Sequence, residues 1–476
     1  MKRLFLGLLT LFALLFSGVA CASGVNRALL IGCDRFVTWP NTAQACAGGA
    51  RAMQAMLESS GTPFDVIDLW ENGLSGREAL TAVVRAAFRD AEEGDTAWIY
   101  IATHGALGED GQTLSLVLSD GVTEEEADAD FLRALLDTVP GKKVLILDAC
   151  HSGAAIGKGG TPESRNAFAG EDYLVLCSGG ALEDSYLWSD GSGAGSGYFT
   201  AALVNGVSGG GWGADANWDG SITLAELEDY VLRNCGVSTP RCYPEQSGQV
   251  LLLTGETPEA YLSGLSLETE TLAGESPAVS FSYTLRKHCR IRYRLVYSQG
   301  DAWDFDGAEL IRDGERMLQP GKLRRTITFR RTDEEGGWVL LLITAEDRSG
   351  VHLLSSRVLT ILPLSGSPEL SLYTAEAFSP ADGEELAVFI RHDQPMVLTV
   401  TVVDEEGNRV ARLCTNRADR PEGTGGTTLY WSGLKDDGTP APEGSYRVQV
   451  KASAGEISES VESGAVRLEG PLSQLR

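Results

Sequence analysis

The sequence predicts an α/β domain with a mostly parallel sheet flanked by helices, followed by two all-β sandwich domains. A chain of 476 residues is too long for one core and suits about three domains. Before residue 255, short apolar runs alternate with helical segments, whereas after it the runs alternate apolar and polar residues between turn residues. The net charge of −27 argues against nucleic acid as a partner, because phosphates attract basic surfaces.

Residues 1–22 are predicted to be a cleaved secretory signal peptide. Lys2 and Arg3 precede an apolar run over 4–16 and a small-residue cleavage site at 20–22. That run is short for a membrane anchor, and no other segment reaches the roughly 20 apolar residues of a spanning helix. We therefore expect a secreted or extracytoplasmic protein, with lipoprotein anchoring through Cys21 left open.

Residues 26–255 form the predicted α/β domain, and two of its strands end close to chemically reactive residues. The run Val144–Leu147 leads to Cys150, and the run Ala97–Ala102 leads to His104. Neighbouring side chains on a strand point to opposite faces, so His151 cannot easily reach the sulfur of Cys150. Two parallel neighbouring strands would instead deliver His104 and Cys150 to one edge of the sheet.

Glycines follow both residues. A tight turn at Gly105 or Gly153 lets backbone N–H groups face a reacting carbonyl, as an oxyanion hole requires. A cysteine nucleophile with a histidine base is therefore the chemistry that the pattern favours.

These motifs resemble those of the caspase-like cysteine peptidases, a group that includes caspases, metacaspases, clostripain, gingipains and legumain. A strand ending in His-Gly is followed some tens of residues later by a strand ending in Asp-Ala-Cys-His-Ser-Gly, which is close to the metacaspase pattern. The resemblance runs from Asn26 to about Gly255. It implies a caspase-like α/β fold in which Cys150 is the nucleophile, His104 is the base, and the amides of Gly105 and Cys150 are the oxyanion donors.

Substrate preference is predicted from Asp148, which stands where caspases carry Gln, as in metacaspases specific for basic residues. Residues two apart share a strand face, so Asp148 can lie beneath the pocket beside Cys150 and favour Arg or Lys before the scissile bond. Asp148 as a plain loop cap is the alternative. Metacaspases usually present another Asp near the position of Gly49, and Asp34 is our candidate substitute.

A segment rich in Gly, Pro, Ser and Thr follows the nucleophile and contains Lys158 and Arg165. Such composition predicts a mobile surface loop, and its basic residues suit an acidic pocket. Self-cleavage after one of these residues is therefore a hypothesis. An ordinary loop that is never cut is the alternative.

Residues 215–226 fit the calcium loop of an EF-hand. The predicted ligands are Asp215, Asn217, Asp219, Ser221 through its carbonyl, and Glu226. We expect a structural or activating Ca²⁺ ion at this loop. A simple helix cap with a solvated acidic face is the alternative.

The two predicted sandwiches span 256–364 and 369–470. The second resembles the Ig-like domain of flagellar hook-cap proteins in its Trp-x-Gly and Pro-x-Gly-x-Tyr turns, which contain Trp431, Gly433, Pro442, Gly444 and Tyr446. Both domains are therefore interpreted as Ig-like sandwiches. Neither contains a catalytic constellation, and their partner is unknown.

Together these features predict a secreted cysteine endopeptidase that cleaves peptides or proteins after Arg or Lys through a Cys–His dyad. The rival from another class is an inactive caspase-like scaffold or adhesin that displays Ig-like modules. A third interpretation makes Asp148, Cys150 and His151 metal ligands, but their alternation on a strand would point them to different faces.

Overall fold

The structure of the protein is a computed structural model. It describes residues 24–159, 165–189, 195–209, 213–255, 260–298, 309–331, 337–348, 350–362, 369–380, 384–392, 396–419, 426–436, 439–454 and 457–470. The predicted signal peptide and Cys21 lie outside these ranges. Within them, no helix is both long and apolar enough to cross a membrane.

The N-terminal α/β domain has one large sheet of six strands and several smaller sheets. Its strands are β1 (Asn26–Gly32), β2 (Phe64–Glu71), β3 (Thr96–Ala102), β4 (Gly105–Leu107), β5 (Leu114–Ser119), β6 (Glu124–Asp128), β7 (Lys142–Asp148), β8 (Tyr173–Cys177), β9 (Leu187–Ser189), β10 (Gly195–Gly197), β11 (Ser221–Thr223), β12 (Arg241–Tyr243) and β13 (Val250–Leu253). The large sheet has the order β12-β8-β7-β3-β1-β2. All its pairings are parallel except that of β12 with β8. The predicted mostly parallel sheet is thus confirmed.

Helices cover both faces of this sheet. They are α1 (Ala45–Ser59), α2 (Arg77–Ala87), α3 (Ala129–Leu136), α4 (Tyr198–Ser208) and α5 (Leu224–Asn234), with a short 3₁₀ helix at Ser152–Ala155. Alternation sends Tyr100 and Ile146 into the core shared with α1, α4 and α5. Ile99 and Leu145 point into the opposite core, shared with α2 and α3. The near-continuous apolar runs that marked these strands follow from this burial on both faces.

The middle sandwich follows, in two sheets of order β14-β16-β19 and β15-β21-β20-β17-β18. Its strands are β14 (Leu262–Leu267), β15 (Thr271–Leu272), β16 (Ala278–Leu285), β17 (Cys289–Ser298), β18 (Glu309–Leu318), β19 (Gly321–Thr328), β20 (Gly337–Asp347) and β21 (Gly350–Ile361). Alternate residues of β20, such as Val339 and Leu341, enter the sandwich core. Trp338 and Leu340 instead join the core of the α/β domain. The two domains therefore share buried apolar surface.

The C-terminal sandwich packs a three-stranded sheet, β22-β24-β27, against a larger sheet in which β25 lies between β26 and β28. Its strands are β22 (Leu370–Thr374), β23 (Ala377–Phe378), β24 (Leu386–His392), β25 (Met396–Val403), β26 (Arg409–Asp419), β27 (Gly426–Trp431), β28 (Gly444–Ala454), β29 (Ile457–Glu462) and β30 (Val466–Leu468). The two sequence turns meet in its core, where the Trp431 and Tyr446 rings contact edge to face at 5.0 Å. Trp431 Nε1 donates to the carbonyl of Leu434 at 2.7 Å.

Candidate active site

The two predicted catalytic residues lie just beyond the carboxyl ends of adjacent parallel strands. β3 and β7 pair in register, with Ala102 opposite Asp148, and His104 and Cys150 each follow two residues later. The backbones also meet directly, because a Cβ atom on Gly105 would lie 2.1 Å from the carbonyl oxygen of Cys150. Only glycine fits this close approach. The fold therefore brings the His-Gly turn and the cysteine to one edge of the sheet.

His104 is oriented by the segment that follows β1. Its Nε2 lies 2.8 Å from the carbonyl oxygen of Pro40, and its ring stacks on Trp39 at 5.1 Å and meets Phe36 edge-on at 4.6 Å. A carbonyl can only accept, so this contact assigns the proton to Nε2. The other nitrogen, Nδ1, is then the acceptor that a general base needs.

Cys150 is half-buried and its thiol is held by Ser185. The sulfur accepts a hydrogen bond from the Ser185 amide at 3.3 Å and donates to the Ser185 carbonyl at 3.5 Å. Burial and then the nearby Asp184 carboxylate raise the pKa of the thiol to about 12. Cys150 is thus a neutral thiol at neutral pH, and a base must remove its proton before it can attack.

Asp148 is the last residue of β7, two positions before Cys150, and is 3% exposed. Its carboxylate accepts hydrogen bonds from the hydroxyls of Thr200, at 2.5 Å, and Ser185, at 3.3 Å. The backbone of Gly197 passes so close that a Cβ there would lie 2.0 Å from the carboxylate. Burial raises the pKa of Asp148 although the hydroxyls oppose it. Ser185 therefore contacts both the thiol and the carboxylate.

Asp34 has a different environment from the one expected of a pocket carboxylate. It is 3% exposed and accepts hydrogen bonds from the amides of Cys46 at 2.8 Å and Ala47 at 2.9 Å, and from the Thr42 hydroxyl at 2.5 Å. These amides belong to the first turn of α1, whose N-terminal N–H groups otherwise lack partners. The contacts of Asp34 are those of a helix cap.

His151 turns away from the sulfur, as predicted. Its backbone is left-handed, with a φ of 59°, and its Nδ1 lies 3.0 Å from the carbonyl of Ala181. Its Nε2 is 3.6 Å from the Asp184 carboxylate. Its imidazole therefore contacts the loop that carries Asp184 and Ser185. Across the described residues, no group of three or more His, Cys, Asp or Glu side chains is arranged to hold a metal.

The basic residues after the nucleophile differ in exposure. Lys158 is 1% exposed and pairs with Glu245 and Glu385, so the expectation of a mobile surface segment is wrong at this residue. Arg165 has a side chain that is 65% exposed and pairs with Asp130. Residues 160–164 lie outside the described ranges. Of the two predicted cleavage positions, only Arg165 is accessible to a protease.

The predicted calcium loop has its oxygen donors in one turn. Asp215 accepts from the amides of Asp219 and Gly220 at 3.2 and 3.1 Å, and Asn217 donates to the Asp219 carboxylate at 2.9 Å. Glu226, the predicted closing ligand, instead caps α5 by bonding the amide and hydroxyl of Thr223. Asp215, Asn217 and Asp219 suit a hard cation, but Glu226 would have to leave its cap to join them.

Three further residues complete the site, and sequence reasoning did not identify them. Pro40 orients the imidazole, Ser185 covers the thiol, and Thr200 bonds Asp148. Each acts through an ordinary carbonyl, amide or hydroxyl on a segment distant in sequence. Such groups leave no distinctive spacing, although the Trp39-Pro40 dipeptide after β1 was a visible turn signal.

Comparisons with known families assign two parts of the chain. Residues 25–219 match the family model described as the caspase domain, and residues 376–456 match the FlgD Ig-like domain. The chain thus has a caspase-like N-terminal domain followed by a strand-rich region that includes an Ig-like domain. No curated protein matches the chain.

Several solved structures are similar in part. Caspase-1 from Spodoptera frugiperda is 15% identical, with 49% of this chain and 92% of that chain covered and a TM-score of 0.34. The BSP domain of a biofilm associated protein is 12% identical, with 44% of this chain and 29% of that chain covered and a TM-score of 0.15. A chaperone–tip adhesin complex of CFA/I fimbriae biogenesis is 11% identical, with 42% and 98% covered and a TM-score of 0.24.

Proposed function

We propose that this protein is a secreted cysteine endopeptidase that cleaves after Arg or Lys through a His104–Cys150 dyad. The caspase domain implies a cysteine peptidase in general terms. The observation that carries the finer proposal is the meeting of His104-Gly105 with Cys150 at the ends of β3 and β7, where Ser185 contacts both Cys150 and Asp148. Secretion is proposed from the signal sequence alone.

The proposed reaction uses the tautomer of His104 that Pro40 favours. Nδ1 of His104 takes the thiol proton, and the sulfur of Cys150 attacks the scissile carbonyl. The amides of Gly105 and Cys150 stabilise the resulting oxyanion. Nδ1 then gives its proton to the leaving amine, and water hydrolyses the acyl-enzyme to restore the thiol.

Specificity is proposed to come from Asp148, with Ser185 as the group that a substrate must displace. Ser185 bonds both Cys150 and Asp148, so a side chain seated on the carboxylate would take the place of the Ser185 hydroxyl. A guanidinium can offer two parallel N–H donors to that carboxylate, and an ammonium can offer one point charge. Exchange of a neutral hydroxyl for a cation would also favour ionisation of a carboxyl whose pKa burial has raised.

Self-processing is proposed after Arg165, because the Lys158 side chain is buried. Wild type and Cys150→Ala would be purified side by side and compared by intact mass. Cleavage after Arg165 in wild type alone supports self-processing. The same fragments in both proteins, or none in a fully active wild type, would remove it.

The alternative proposal is an inactive scaffold or adhesin that displays the sandwiches. The observation that favours it is the resting thiol, which is neutral and covered by Ser185. A panel of fluorogenic peptides ending in Arg, Lys, Asp or Asn separates the two. Cleavage after Arg and Lys that is lost in Cys150→Ala supports the peptidase, and wild-type protein inert on every peptide favours the scaffold.

A further inference from the structure

Lys158 is a buried cation held by two different domains. Its Nζ lies 3.4 Å from a carboxylate oxygen of Glu245, in the α/β domain, and pairs with Glu385, in the C-terminal sandwich. It also lies 3.9 Å over the ring of Tyr430, from the same sandwich. Burial acts to lower the pKa of Lys158, but the two carboxylates outweigh it, and the pKa stands above its ordinary value. The ammonium is therefore charged and depends on these partners.

The backbone at Lys158 supports the loop that follows β8. The Lys158 carbonyl accepts from the amide of Ala181 at 2.8 Å, and the Gly159 carbonyl accepts from Leu182 at 3.2 Å. The Lys158 amide donates to Gly153 at 2.9 Å, which ties the segment to the turn after the nucleophile. The position of Lys158 thus fixes residues 179–182 relative to that turn.

The supported loop continues directly to the candidate site. The carbonyl of Glu183 accepts from the amide of His151 at 2.9 Å. Two residues later, Ser185 bonds the Cys150 thiol and the Asp148 carboxylate. The ion pair of Lys158, the hydrogen bonds of its backbone and the chain from Ala181 to Ser185 therefore form a continuous connection from Glu385 to the nucleophile.

Charge matching alone does not require Glu385, because Glu245 is a counterion from the same domain as Lys158. The second carboxylate and the Tyr430 ring add a dependence on another domain. A buried ion pair is weak support for stability but can select one arrangement of the groups around it. Here those groups include the backbone that supports Ser185.

We infer that Glu385 is a positioning residue for the proposed peptidase site, acting from the C-terminal sandwich through Lys158 on the loop of residues 179–185. The inference rests on the proposed function. It makes the Ig-like domain a required part of the enzyme and not only a displayed module. Glu385 touches no reacting atom, so its effect must be visible at Cys150 through the loop.

The test uses the full chain with Glu385→Gln, with Glu385→Asp as the charge-conserving variant and Glu443→Gln as the control. Glu443 is an exposed carboxylate of the same sandwich. Two readouts are taken well below the unfolding temperature: kcat on the best Arg peptide, and the pH dependence of Cys150 alkylation by iodoacetamide, followed by mass on the peptide that carries it. Coupling through packed networks is typically worth about 2- to 30-fold.

We expect Glu385→Gln to lower kcat within that range and to raise the rate of alkylation at pH 8, because a loosened loop leaves the thiol less buried. Glu385→Asp should recover part of both effects, and Glu443→Gln should match wild type. A Glu385→Gln protein that melts earlier yet keeps the wild-type kcat and alkylation profile would overturn the inference. If wild type cleaves no peptide, the proposed function fails, while the alkylation rates at pH 8 still decide the coupling. If Glu385→Gln does not fold, kcat and Cys150 alkylation are compared between Glu385→Asp and wild type, and equal values would overturn the inference.

Discussion

Ser185 holds the thiol of Cys150 on both sides, with its amide 3.3 Å and its carbonyl 3.5 Å from the sulfur. The same residue bonds Asp148 through its hydroxyl. A single loop residue, Ser185, therefore contacts both the nucleophile and the proposed specificity carboxylate. In the proposed mechanism, a basic side chain would displace the Ser185 hydroxyl from Asp148 beside the backbone contacts that the same residue makes with the thiol.

The first prediction separates the two histidines near Cys150. Cys150→Ala and His104→Ala should each abolish peptide cleavage, because nucleophile and base act as one unit. His151→Ala should keep activity within about tenfold of wild type, since its imidazole contacts Ala181 and Asp184 and not the sulfur. Initial rates on an Arg peptide, with circular dichroism as the folding control, decide this. Full activity in Cys150→Ala would refute the mechanism.

The second prediction concerns the two buried carboxylates. Asp148→Asn should lower kcat/KM on Arg and Lys peptides by roughly 10- to 150-fold, the loss of one charge-assisted hydrogen bond. Asp34→Asn should act on stability instead, because Asp34 caps α1. Peptide kinetics and thermal melts on both variants give the comparison. Asp148→Asn with unchanged preference for Arg would show that the pocket carboxylate lies elsewhere.

The third prediction follows from the raised pKa of Cys150. Alkylation of the free enzyme should be slow at pH 7 and should accelerate steadily as the pH rises, because the thiolate is the reactive form and the pKa is about 12. Asp184→Asn removes a carboxylate that disfavours the thiolate, so it should speed labelling at pH 8 by roughly 3- to 10-fold. Asp172→Asn, an exposed carboxylate before β8, is the control. Equal rates in wild type and Asp184→Asn would contradict this assignment.

The fourth prediction tests calcium at residues 215–226. Addition of millimolar Ca²⁺ should raise the melting temperature of wild type by about 2–4 °C, as about 1 kcal/mol of binding linkage would do in a domain of this size. Asp219→Asn should remove the response, because the predicted site loses a charged ligand. Mg²⁺ at the same concentration serves as the control. Identical melting curves in Ca²⁺ and in chelator would exclude a site at this loop.

The fifth prediction is a loss of stability as the pH rises from 4.5 to 8, and it originates at Glu228. Burial and then the nearby Glu245 raise the pKa of Glu228 to about 8 from an ordinary 4.5. A carboxyl with a raised native pKa contributes its stability below pH 4.5 and loses it as the pH rises through 8. The loss is on the order of 1–5 kcal/mol, and Glu228→Gln should remove it.

Urea unfolding at pH 6 and pH 9 measures the effect at Glu228. The urea midpoint of wild type should be lower at pH 9 than at pH 6. For Glu228→Gln this decrease should be smaller. Lys158 and Asp229 also act on this carboxyl, so the same salt concentration is kept throughout. Glu58→Gln, on the exposed side of α1, provides a matched carboxylate that should leave the pH response unchanged. Equal pH responses in wild type and Glu228→Gln would rule out Glu228 as the source.

The apolar runs before His104 and Cys150 were enough to predict neighbouring parallel strands, because β3 and β7 pair in register. Strand alternation does not account for the direction of His151, since β7 ends at Asp148 and His151 lies in the turn beyond it with a left-handed φ of 59°. The position of Lys158 could not be obtained in the same way. The sequence around Lys158 has the composition of a loop. Its ion-pair partner, Glu385, is 227 residues away in the chain. Asp34 shows the same limit, since sequence gives a carboxylate near the site but not the helix amides that it bonds.

The 227 residues between Lys158 and Glu385 also correspond to an interval during synthesis. At about 5–20 residues per second, Glu385 leaves the ribosome roughly 10–45 s after Lys158. In the proposed coupling, the caspase-like domain lacks the contact that supports Ser185 until then. The order of the domains would therefore delay the proposed activity during synthesis.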